Sequence, residues 1–209
     1  MICHLRKDRQ CRLCPIQTVK QASWILLLSL TVVCAQSEKG VTRGSYKPPA
    51  VVKSLFGDEV MLAPERKNYA TNLATYVANL VSSSDGSKEV LASASRILAL
   101  SLHLDRRNKQ AMVVNFQLAQ GVMPQVKSGD YNARTFSRLL MTRAKLLLKG
   151  GKENEMLLAR YFIDVAAHID PRNEDAVFEC ESQRLDFGEL NWTMLTGADP
   201  PSGEGEGAR

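Results

Sequence analysis

Aromatic side chains make up only 6% of the 209 residues, and histidine occurs three times. So little aromatic mass does not suit a β-sandwich core. Alanine, leucine and charged residues dominate the middle of the chain, and they suit helices packed through small and aliphatic side chains. Beyond Cys34 the only cysteine is Cys180, so a chain cut after Ala35 could form no internal disulfide and would rely on packing alone. The short motifs of common catalytic sites are missing as well. No serine sits in a nucleophile elbow, no glycine-rich phosphate loop follows a strand pattern, and no His-Glu-x-x-His lies on a helix. The sequence therefore marks no enzyme and implies no cofactor.

Long apolar runs are also absent, apart from one of moderate length. Ala22 to Ala35 is uncharged and apolar over fourteen residues, which as a helix would reach about 21 Å, short of a hydrocarbon core of about 30 Å. It follows a basic segment and precedes Gln36-Ser37-Glu38, which is the grammar of a signal peptide. Val33 and Ala35 provide the small-residue positions, so cleavage is expected between Ala35 and Gln36. If residues 1–35 stay uncleaved, they become a membrane anchor with the positive side cytoplasmic. Export, to a periplasmic or cell-envelope location, is the expected localisation.

Basic charge is in excess, with a net of +5, but it is badly distributed. Arg6, Lys7, Arg9, Arg12 and Lys20 against Asp8 place +4 in the first 21 residues, which leaves 22 basic and 21 acidic residues from Gln36 onward. Nucleic-acid binding needs Lys and Arg clustered on the folded part, so it is set aside. Cys11-Arg-Leu-Cys14, with Cys3 and His4 nearby, has the spacing of half a zinc or redox site. The other half is missing, so no metal is expected.

Gln36 to Ala50, ending Tyr46-Lys47-Pro48-Pro49, lacks apolar spacing and reads as a flexible tether. Residues 197–209, with Asp199-Pro-Pro-Ser-Gly-Glu-Gly-Glu-Gly, read as a disordered tail. The domain between them, 51–196, contains a repeat that appears when the chain is slid over itself by 65 residues. His103-Leu-Asp105-Arg-Arg107-Asn108-Lys-Gln-Ala111 then falls on His168-Ile-Asp170-Pro171-Arg172-Asn173-Glu-Asp-Ala176, with five identities in nine positions. The copies run over about 66–120 and 133–184.

Each copy follows one plan. Apolar residues at i, i+3 and i+4 predict first helices over 66–82 and 134–149. Glycines 86 and 151 mark the breaks. Second helices carry Val90, Ala94, Ile97, Leu98 and Leu104, and Ala159, Phe162, Ile163, Ala166 and Ile169. Asn108 and Asn173 are expected N-caps of third helices at 109–120 and 174–184, and Pro171 stops the helix before it. His103 and His168 recur together with the helix end. They are therefore expected to serve its carbonyls rather than a metal or a reaction, and Asp105 and Asp170 are expected to bond their own turns.

The stretch Ala159-x3-Ile163-x2-Ala166-x2-Ile169-Asp170-Pro171-x-Asn173 resembles the second helix and closing turn of a tetratricopeptide repeat, and Ala94-x3-Leu98 to Asn108 is a weaker copy. The sequence departs from that pattern at Arg106, which stands where the second copy has Pro171, at Ser101 in place of an alanine, and at Asn115-Phe116 where a small residue is usual. The resemblance implies an all-α fold, a short stack of about six helices in antiparallel pairs forming an α-solenoid. It also implies a groove that receives a peptide or helix from another protein.

Phe187, Leu190 and Trp192 precede the tail. They are expected either to cap the last helix face or to anchor a partner. Asn191-Trp-Thr193 is a glycosylation acceptor pattern if export enters a eukaryotic secretory route. The expected function is a non-catalytic adaptor or scaffold of the cell envelope that binds another protein. The alternatives are a structural protein that associates with itself or with the membrane surface, and, third, a small hydrolase with a site assembled from scattered residues.

Overall fold

The computed structural model describes residues 46–84, 86–126, 129 and 131–197. The signal or anchor segment, the Ala35–Gln36 junction, the Cys11-x-x-Cys14 pair, most of the tether and all of the tail beyond Gly197 lie outside the described residues. The described chain is all-helical and contains no strand. In order come α1 (Ala63–Ser83), α2 (Lys88–Leu104), α3 (Lys109–Ala119), α4 (Ala133–Gly150), α5 (Glu153–Ile169), α6 (Glu174–Phe187) and the single turn α7 (Thr193–Thr196). None of these helices is long and apolar enough to cross a membrane.

Local chemistry explains the helix starts. Pro64 stands in the first turn of α1, where its missing N–H costs nothing. The side chains of Ser87, Asn108, Asn132 and Asn173 each accept a hydrogen bond from the backbone N–H three residues on, so four of the helices open on a side-chain cap. Gly151, with φ of 72°, ends α4 in the left-handed conformation and leaves only Lys152 before α5. So short a turn forces the two helices antiparallel.

Two tight hairpins result, α1–α2 and α4–α5. In the first, Leu73 and Val77 of α1 are buried with Leu91, Ala94 and Leu98 of α2. In the second, Leu140 and Ala144 of α4 are buried with Leu158, Ala159 and Phe162 of α5. The alanines carry only a methyl group to hold the axes apart, so these pairs close tightly.

Larger side chains join the hairpins to each other. Tyr69 of α1 stacks on Phe162 with ring centroids 5.2 Å apart and tilts against Phe136 at 6.2 Å, and Arg143 of α4 reaches Glu65 at 3.1 Å. The third helices then differ. α3 packs mainly on α1, whereas α6 packs mainly on α5.

Two departures from the tetratricopeptide pattern have local explanations. The Ser101 hydroxyl is buried in the α1–α2 seam and donates to the Ala70 carbonyl at 2.8 Å, so the extra polar atom is satisfied. Asn115 accepts the Tyr46 hydroxyl at 2.5 Å. Residues 46–50, which composition assigned to the tether, therefore pack against the helices: Tyr46 and Pro49 are buried, and Ser95 donates to the Lys47 carbonyl at 2.6 Å. The seventh helix, short and without periodicity, lies next to this strap, where the Ala50 N–H donates to the Thr196 carbonyl at 2.9 Å.

Candidate functional site

The two repeat corners share one set of hydrogen bonds. Asp105 and Asp170 each accept from the backbone N–H two residues on, of Arg107 and Arg172, at 3.2 Å in both cases. Asn108 and Asn173 accept from the N–H groups of Ala111 and Ala176 at 3.1 and 3.4 Å. Each asparagine also donates through Nδ2 to a hydroxyl on the first helix of its own copy, Thr71 at 3.0 Å or Ser137 at 2.9 Å. Every member of the motif is thereby occupied in turning the chain.

The two histidines part company. His103 is only 4% exposed. Its Nε2 lies 2.9 Å from the Leu195 carbonyl, a pairing that requires the proton on Nε2, and its Nδ1 then accepts the Leu55 N–H at 3.3 Å. Ser54 donates to the backbone carbonyl of the same residue. Burial pushes the His103 pKa below its ordinary value, in keeping with a neutral ring that ties residues 54–55 to residue 195 over the end of α2.

His168 is exposed instead, with one ring edge against Tyr76 at 6.1 Å. Desolvation lowers its pKa too, while Asp164 opposes that shift and Arg96 reinforces it.

Beside His168 lies the one arrangement with a chemical flavour. The Cys180 thiol points at Asp164 Oδ1, 3.8 Å away. Desolvation first, then the nearby carboxylates, push the thiol up to about 11, and desolvation raises Asp164. A nucleophilic cysteine needs the opposite, a positive surrounding that yields thiolate near neutral pH. This pair is therefore a poor hydrolytic site. No group of three or more His, Cys, Asp or Glu side chains among the described residues is arranged to hold a metal ion.

A different feature is open to a macromolecule. A groove of about 570 Å³ runs between α4 and the second corner, lined by Arg134, Arg138, Thr142 and Lys145 on one wall and by Asp170, Arg172, Glu174 and Asp175 on the other. Two ion pairs cross it, Arg134–Asp170 at 3.8 Å, whose carboxylate is mostly covered, and the exposed Lys145–Asp175 at 3.3 Å. Such pairs hold little energy in water and exchange readily for a partner's charges. Leu139 and Leu146, both half exposed, follow Arg138 and Lys145 along α4 without lining the groove itself. The motif contributes Asp170, Arg172 and Asn173 to this region but not Pro171, and the cations on α4 carry no pattern that distinguishes them from an ordinary solvated helix face.

The three aromatic and apolar residues before the tail are also separated. Leu190 and Trp192 pack partly against the core, and Trp192 meets the buried Tyr161 edge-on at 4.8 Å. Tyr161 donates to the Asn191 carbonyl at 2.6 Å, and burial pushes its pKa up to about 12. Phe187 remains 69% exposed under the Arg160 guanidinium at 5.3 Å. The Asn191 amide oxygen accepts both the N–H and the hydroxyl of Thr193.

No protein-family model matches the chain, and no curated protein or solved structure is significantly similar to it.

Proposed function

We propose that this chain is a non-catalytic interaction adaptor of the cell envelope, exported or tethered by its N-terminal segment, which holds a peptide or helix of another protein against α4 and α6. The tetratricopeptide-like motif supports the reading, as does the signal-like leader. The observation that carries it is the α4–α6 groove, where rim-exposed charges of both signs lie next to the exposed Leu139 and Leu146. Its partner is a segment with acidic side chains on either side of an apolar one. The acids would take up Arg138 and Arg172, and the apolar residue would cover the leucines.

Display of a random peptide library against the full chain tests this. Selected peptides should be acidic with an apolar centre, and Arg138→Glu with Lys145→Glu should lose them while the helical content stays unchanged. Peptides that bind the double variant as well as the parent would remove the groove from the account.

Self-association has an observation of its own. On α6, Phe178 and Leu185 are 72% and 78% exposed and stand seven residues apart on one face. Under this reading light scattering of the full chain should show a mass that rises with concentration, and Phe178→Asp should return it to the monomer.

A further inference from the structure

A second concavity, different in character from the charged groove, lies along α2 of the first hairpin. It is a trough of about 440 Å³ between the strap and α2, closed at one end by α7. Its floor and walls are Pro48, Ala50, Leu91, Ala92, Trp192 and Thr196, and its lining contains Lys47, Lys88 and Arg96 but no acidic residue. A site of this size with apolar walls and a few placed cations has the build of a small-ligand site. Lys47 and Lys88 make no ion pair with a described carboxylate. Arg96 also faces Asp164 and His168 in the adjoining recess. Glu89 senses Lys88 but is not part of the lining.

The hydrogen-bonding groups of the strap decide between classes of occupant. The Lys47 carbonyl is taken by Ser95, the Ala50 N–H is taken by Thr196, and Pro48 and Pro49 have no N–H. An extended peptide laid here would find few main-chain partners and would leave its own carbonyls unsatisfied. A hydrocarbon chain needs none. We infer that this trough binds a single-chain anionic amphiphile, a free long-chain carboxylate, with the hydrocarbon along Pro48, Ala92 and Trp192 and the head group among Lys47, Lys88 and Arg96.

Calorimetric titration of the full chain with dodecanoate tests the assignment. One molecule should bind per chain, octanoate should bind more weakly because fewer methylenes are covered, and Lys88→Glu should weaken dodecanoate about tenfold or more. Ala92→Trp, at an exposed helix position, should abolish binding while leaving the thermal melt unchanged.

Equal binding of dodecyltrimethylammonium overturns the proposal, because the cations would then select nothing, and so does undiminished binding to Ala92→Trp. Binding confined to phosphatidylglycerol vesicles, with no dodecanoate bound, identifies a membrane surface and overturns it too. Dodecanoate bound only after Asp199→Asn, Glu204→Gln and Glu206→Gln in the full chain would identify the chain's own acidic tail as the occupant.

Discussion

The first and second repeat corners share their His, Asp, Arg, Asn and Ala and make the same turn, yet at one the histidine is sealed in and at the other it is left at an open edge. His103 is buried where chain segments from before α1 and after α6 converge on it, and Asn108 is buried against α1, whereas His168 and the groove beside Asn173 face solvent. A local motif therefore determines its own hydrogen bonds. What lies across from it determines whether it acts as a structural joint or leaves a surface free for a partner.

Replacing the two histidines should break the comparison most visibly. His103→Ala removes a buried ring together with its bonds to Leu55 and Leu195, and should cost about 3 kcal/mol in urea unfolding. His168→Ala should cost about 1 kcal/mol or less. If the two costs are equal, sealing the first ring adds nothing.

Gly197 and Gly151 sharpen the contrast at the backbone. Both have positive φ, 62° and 72°, but a β-carbon at Gly197 would stand 2.9 Å from the Ala50 carbonyl, while one at Gly151 meets nothing within 4 Å. Gly151→Ala should cost about 1 kcal/mol for its conformation alone, and Gly197→Ala about 2 kcal/mol or more, both measured as unfolding free energies.

For the caps, Asn108→Ala should cost about 2 kcal/mol and Asn173→Ala about 1 kcal/mol by the same measurement, because Asn108 is buried with its Nδ2 facing three acceptors, whereas Asn173 is half-buried and donates only to Ser137.

The pH response follows from the lowered histidines. Below the ordinary value of 6.5 the unfolded chain takes up protons that the folded rings resist, so stability should fall as pH drops from 6.5 through the lower folded values. His103→Asn should flatten that slope more than His168→Asn does, in unfolding midpoints measured between pH 7 and 5. The smallest effect belongs to the groove. Lys145→Ala should change stability by no more than about 0.5 kcal/mol.

Six helices were readable in the sequence because α1, α2, α4 and α5 carry apolar stripes and α3 and α6 open on the asparagine caps of the repeated corner. The expected third helix at 109–120 is α3, Lys109–Ala119, and the one at 174–184 runs on to Phe187. The strap was not readable. Tyr46 and Ala50 are held by single hydrogen bonds to Asn115 and Thr196, far along the chain, in a segment with no period to announce them. The same holds for α7, which is one turn long. Trp192 and Leu190 stood out as apolar in a polar neighbourhood, but whether each faced the core or solvent depended on Tyr161, thirty residues away. The groove cations on α4 were invisible for the opposite reason, since Arg138 and Lys145 look like any solvated helix face until the second corner is set across from them.

The hydrogen bond from Ala50 to Thr196 brings the entry and exit of the helical body within one residue pair of each other. Tension applied through the two flanking segments would meet the Tyr46–Asn115 and Ser95–Lys47 bonds from the entry side and the Ala50–Thr196 bond from the exit side, so the strap resists from both ends. The same adjacency means that the body could be spliced into a surface loop of another protein with little distortion of the host.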